Sequence, residues 1–236
     1  MNLFANKVNN NKKTTMIKKI IFIMFLVLFA GNLNAEEDTY KMVFVPASEK
    51  GDESDYTSLI AITEKLTGLN IDTIKVTDYN AAVEAMRAGR AHIAWYGGKT
   101  YVKAAEIANA EAFAAGVRPG EKDAGYFTYF VVKKNSMLKK FNDVKGKVLS
   151  LNTIGSTSGD LIPQVELSKI NLSIKNKDHF NKVYYARSHD ACLLAVLNNQ
   201  SDVCGMSSRN LKQIGDGLLK RGCRSFISQI EFHHHL

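Results

Sequence analysis

The sequence predicts an α/β protein of two lobes, each a mostly parallel sheet flanked by helices. Three observations carry that prediction. Short apolar strand patterns alternate with helical ones over short connections from residue 41 onward, the order a parallel sheet requires. After the apolar stretch 126–133 the same alternation starts again. The 236 residues are 45% hydrophobic, enough to bury one sizeable core or two small ones. On this reading residues 38–128 form the first lobe, 129–225 the second, and 226–236 an irregular tail.

Each element has a local reason. Residues 41–45 alternate as a strand, and the helical pattern over 56–66 stops at Gly68. A second strand covers 71–76, followed by a helix over 80–88 that Gly89 ends. Residues 92–96 make a short strand closed by Gly97 and Gly98, and 100–110 a helix. The stretch YFTYFVVKK, 126–133 with its flanking lysine, is a long apolar strand. A turn at 142–146 precedes a strand over 147–151, and a helix occupies 161–170. A strand at 182–186, a helix over 188–198 capped by Ser188, and a strand at 201–205 complete the order. Ligands of such sheets bind at the carboxyl ends of the strands, and a cleft between two lobes is a standard place for one.

The N-terminus stands apart. Lys18 and Lys19 precede the apolar run 20–30, which leads to Gly31, Ala35 and then the acidic Glu36, Glu37 and Asp38. That order is a secretory signal peptide over 1–35, cleaved after Ala35, with an Asn/Lys-rich extension over 1–15 ahead of Met16 as a candidate start. The chain is expected to be exported. Residues 1–35 hold five lysines and no acid, so the formal +8 of the whole chain falls to 26 basic against 23 acidic residues. With the remaining lysines scattered, nucleic acid is set aside as a partner. Of the three cysteines, Cys192 lies in an apolar helical pattern and Cys204 beside a short strand, so buried thiols are expected at both. His233, His234 and His235 sit together on a short tail, read as a chance cluster rather than a site, and neither a metal nor a cofactor is expected.

The stretch NTIGSTSGDLIP, residues 152–163, sets Ser156, Thr157 and Ser158 between two glycines before an apolar run. Two readings of it compete. Hydroxyls in a helix's first turn cap unpaired N–H groups, and the same N–H groups with flanking glycines can cradle an anion. Because proline is tolerated only in a first turn, regular helix should begin near Asp160 or Leu161, leaving the hydroxyls in a loop and facing outward.

Five motifs in register over residues 42–210 carry a resemblance: DYNAAVEAMRAGRAHIAWYGG, GYFTYFVVKKNS, NDVKGK, STSGDLIP and SHDACLLAV. The sequence resembles the periplasmic phosphonate-, phosphite- and phosphate-binding proteins of ABC importers. That resemblance implies the two-lobed type II periplasmic binding fold and a tetrahedral phosphorus oxyanion as ligand, held in the cleft. It implies a monomer that serves a membrane permease and ATPase, and no enzyme. It assigns ligand binding to Ser156, Thr157 and Ser158, to His189 of SHDA, and to Tyr79 and Tyr126; Tyr96 of WYGG lies at a strand end facing the same cleft. All are neutral hydrogen-bond donors of the kind an oxyanion needs. Members that take aminoalkylphosphonates carry an acid where Arg209 stands here, which argues against an amine on the ligand. Family members also continue past this region, so the chain reads as truncated after Gly217.

Two other functions fit parts of the pattern. A ligand-sensing periplasmic module needs the same closing cleft. A secreted hydrolase using Ser156 or Ser158 with His189 would need serine at the centre of a G-x-S-x-G elbow, where Thr157 stands.

Overall fold

The computed structural model describes residues 39–47, 52–117, 120, 122, 124–211 and 223–228. The signal peptide with its cleavage site and the three C-terminal histidines lie outside the described residues. Among these residues, no helix is long and apolar enough to cross a membrane.

The first sheet has three strands, all parallel, in the order β2-β1-β3: β1 Thr39–Phe44, β2 Asn70–Ile74 and β3 Ile93–Trp95. Helices α1 Asp52–Thr67, α2 Tyr79–Arg87 and α3 Gly98–Ala108 connect and follow them. Asp78 starts α2 by accepting the Ala81 N–H at 2.9 Å, and Gly89 ends it at φ +67°, a conformation a side chain would strain. β1 alternates as a strand buried on both faces must. Val43 packs with Tyr79, Ala82 and Ala85 of α2, while Met42 and Phe44 pack on the other side with Ile71, Tyr56 and Trp95.

The second sheet has five strands in the order β6-β5-β7-β4-β8: β4 Thr128–Lys133, β5 Val148–Leu151, β6 Lys182–Tyr185, β7 Val203–Ser207 and β8 Cys223–Ser228. β5, β6 and β7 run parallel, whereas β4 is antiparallel to both β7 and β8. The sheet is therefore mixed. Residues 226–228, expected in an irregular tail, belong to β8, which pairs with β4 from Thr128↔Ser228 to Lys133↔Cys223. The outer edge of β4 carries backbone groups that need partners, and β8 supplies them.

Period-two alternation on β4 builds two cores. Phe130 and Val132 face Leu149, Leu151 and Leu167 of helix α4 (Ile162–Lys169); Val131 faces Leu193 and Val196 of helix α5 (His189–Leu197). In the second core Cys192 and Cys204 are joined as a disulfide, Cα–Cα 5.7 Å, rather than standing as separate thiols. Packing α5 on β7 sets one cysteine over the other, a proximity that spacing along the chain does not show. Cys223 is a buried free thiol in the same core. Both sheets lie in one compact unit that begins at Thr39.

Candidate functional site

The site grows from the carboxyl end of β5. Asn152 is buried there, its N–H donating to the Gly159 carbonyl at 2.9 Å. Gly155 adopts φ +101°, and a Cβ on it would stand 3.1 Å from the Tyr79 Cβ, so conformation and close approach both require glycine. The Ser156 Oγ accepts from the Gly159 N–H at 3.1 Å and from Asn152 Nδ2 at 3.4 Å. Leu161 N–H reaches back to the Ser156 carbonyl at 3.1 Å, giving a single π-helical turn over Thr157–Leu161. That wide turn delays regular helix to Ile162, just past the expected start, and leaves Pro163 harmlessly in the first turn of α4. Gly205 of β7 admits Pro163: a Cβ there would lie 2.8 Å from the proline Cγ.

The three hydroxyl residues do not face outward. Ser156, Thr157 and Ser158 are each at most 3% exposed, because the turn between β3 and α3 packs against them. The Lys99 N–H donates to Thr157 Oγ1 at 2.9 Å, and Thr100 Oγ1 donates to the Gly155 carbonyl at 2.9 Å. Gly97 permits the contact, since a Cβ on it would be 3.1 Å from Thr157 Oγ1.

Other predicted residues join this group. Tyr126 hydrogen-bonds the Thr157 and Ser158 side chains, and burial raises its phenol above the usual range. Tyr79, at the start of α2, packs against Gly155. His189 opens α5 after Ser188, whose Oγ caps the helix by accepting Ala191 N–H at 3.0 Å. Its main-chain N–H reaches the Ala47 carbonyl beyond β1 at 3.1 Å, and its ring lies against Gly159. The ring Nδ1 accepts the Ser207 N–H over 3.4 Å, which places the proton of the neutral imidazole on Nε2. Burial pushes His189 down to about 3, so it is an uncharged donor at neutral pH. The structure does not bring Tyr96 into the group. Its hydroxyl donates to the Ala82 carbonyl at 3.1 Å, inside the core beneath α2, and burial pushes it up to about 12.

Two cations near the group are already engaged. Lys99 Nζ pairs with Asp160 Oδ2 at 2.5 Å. The Arg209 guanidinium donates to the carbonyls of Gly116, Ala124 and Gly125 and stands 5.0 Å over the Tyr126 ring. Sequence reasoning singled out neither Lys99 nor Asp160. A signal was available: a lysine in the first turn of a helix opposes the helix dipole and needs a partner elsewhere. The other polar groups of this cluster, hydroxyls, backbone N–H groups and an imidazole N–H, are neutral.

A family model of ABC transporter phosphonate periplasmic substrate-binding proteins matches residues 42–222. The chain belongs to this family. Among similar proteins is the phosphonates-binding periplasmic protein of Escherichia coli K12, 30% identical over 173 residues that make up 71% of this chain and 49% of that one. A binding protein component of an ABC phosphonate transporter from Pseudomonas aeruginosa superposes with a TM-score of 0.73 at 22% identity, covering 85% of this chain and 70% of that one. The Prochlorococcus marinus PhnD1 protein, solved in complex with methylphosphonate, gives a TM-score of 0.68 at 21% identity over 84% of this chain and 76% of that one. The fold of this phosphonate-binding family member is thus the type II periplasmic binding fold expected from the sequence. The chain spans about half the length of the curated relatives it matches.

Proposed function

We propose that this chain is the solute-binding component of an ABC importer. It captures a phosphonate, phosphite or phosphate oxyanion at Ser156, Thr157, Ser158, Tyr79, Tyr126 and His189 and presents it, as a periplasmic monomer, to a membrane permease and ATPase. The observation that carries this reading is a buried set of neutral donors beside two cations that are both tied down. Directed hydrogen bonds from neutral groups bind a tetrahedral anion and still allow release, which transport needs. The Arg209 charge next to Tyr126 disfavours a ligand with an ammonium group, so phosphite, phosphate or a simple alkylphosphonate fits better than an aminoalkylphosphonate. Hydrolysis is disfavoured: Nδ1 of His189, which a carboxylate faces in a Ser-His-Asp triad, faces the Ser207 N–H instead. The role is binding, without catalysis.

The test is a thermal-shift scan of the purified chain with phosphite, phosphate, methylphosphonate, 2-aminoethylphosphonate and sulfate. A ligand at 100 times its Kd adds about 2.7 kcal/mol of stability. We expect that gain from an amine-free phosphorus oxyanion, and a loss of affinity of more than about tenfold in the Ser156→Ala/Thr157→Ala double variant, since each charge-assisted hydrogen bond is worth about 1.5–3 kcal/mol. A response to sulfate alone, or to none of the five, overturns the proposal.

A further inference from the structure

We propose that Lys99 is a positioning residue for ligand retention: with Asp160 it forms a latch that holds the three-stranded half closed over the 156–158 loop. The ligand-retention part rests on the reading of that loop as the oxyanion site; the latch itself does not.

Asp160 is the hub of the loop. Its side chain is 1% exposed, and both carboxylate oxygens are filled. Oδ1 accepts Gln164 Nε2 at 2.6 Å and the Tyr185 hydroxyl at 2.8 Å, while Oδ2 accepts the Gly155 N–H at 3.1 Å and Lys99 Nζ at 2.5 Å. Three of these donors come from α4, β6 and the loop itself, all in the five-stranded half. The fourth, Lys99, comes from α3 in the other half. That division gives the carboxylate two stable situations. With the halves apart, three neutral donors still hold Asp160 and so preserve the loop. With the halves together, the ammonium adds a charged bond across this seam, alongside the Lys99 N–H to Thr157 and Thr100 to Gly155 bonds. Lys99 gains nothing from its own helix, because a cation in the first turn of α3 opposes the helix dipole. Its place there is explained by Asp160.

A contact made only in the closed state slows ligand escape and leaves the encounter of ligand with the open state unchanged. The Lys99 side chain is one-third exposed, so salt screens the pair and its effect is moderate.

The experiment uses the full chain with Lys99→Met, Lys99→Gln and Lys99→Arg variants and two readouts. The first is stopped-flow kinetics with methylphosphonate, phosphite and phosphate. We expect koff to rise about fivefold to tenfold in Lys99→Met with kon unchanged, and Lys99→Arg to restore most of the difference. Wild-type koff should climb with salt between roughly 0.02 and 0.5 M, and the Lys99→Met value should stay flat. The second readout needs no ligand: the distance between spin labels at the exposed positions Leu66 and Lys177, whose short-distance population should shrink in Lys99→Met and Lys99→Gln. Unchanged koff and unchanged distances overturn the latch, as does an equal effect on kon and koff. If no oxyanion binds even the wild type, the proposed function fails while the label distances still decide whether Lys99 closes the halves.

Discussion

The two halves of the molecule are built to different depths. The five-stranded half carries an apolar core on each face of its sheet, with Phe130, Leu149, Leu151, Leu167, Leu193 and Met206 fully buried, and a disulfide from α5 to β7 in one of them. The three-stranded half buries smaller clusters, with Val43, Ala82 and Ala85 small and central on one face and Met42, Phe44 and Ile71 on the other, and leaves Leu59, Ile62 and Leu66 of α1 exposed on one helical stripe. The difference corresponds to where the proposed site residues stand. Ser156, Thr157, Ser158 and His189 are set in the deep half, where π-turn, cap and Asp160 hub fix their geometry. The thin half contributes Tyr79 and the covering turn at Gly97, Lys99 and Thr100. The proposed binding role needs one rigid surface to recognise a ligand and one that can come and go.

The largest expected effect tests the depth of the five-stranded half. Leu149→Ala removes a side chain with no exposure at the centre of β5 and should cost about 2–5 kcal/mol in urea unfolding. A cost below about 1 kcal/mol would mean that this core is no better packed than the other and would break the comparison.

His189 gives the next effect. Burial holds its folded value at about 3 against an ordinary value of 6.5, so the unfolded chain takes up the proton first as pH falls. Its contribution to stability is complete above about pH 6.5 and is lost progressively as pH falls towards 3, at up to about 1.4 kcal/mol per pH unit. Unfolding titrations of wild type and His189→Gln should diverge in slope across that window. Parallel slopes would show that the imidazole is open to water and that the rigid surface is looser than its packing implies.

Strand and helix order was legible in the sequence almost throughout, because alternation, Ser188 as a cap, and Gly68 and Gly89 as stops are local signals. β8 was not, because its pairing depends on the open edge of β4, a partner 90 to 100 residues away, from Lys133↔Cys223 to Thr128↔Ser228. The disulfide joins cysteines only 12 residues apart, and it was hidden because the packing of α5 on β7, not the spacing, brings them together. At the site, the residue types of the 156–158 loop pointed to donors, yet their burial depends on the Gly97 turn from the other sheet. Tyr96 looked like its neighbours at a strand end, but its hydroxyl bonds the Ala82 carbonyl and its ring packs into the core under α2. Lys99 stood out only as a lysine in a helix's first turn, and the fold alone shows that Asp160 is its partner.

The smallest effect sharpens the comparison from the thin side. Leu66 is 79% exposed near the end of α1, so Leu66→Ser removes an apolar side chain that is already in water and should change stability by no more than about 0.5 kcal/mol in urea unfolding. That result, set beside Leu149→Ala, would show that mutational cost follows the depth of each half. A cost above 1 kcal/mol would require a partner surface over α1 and would make the three-stranded half a buried layer rather than a thin cover.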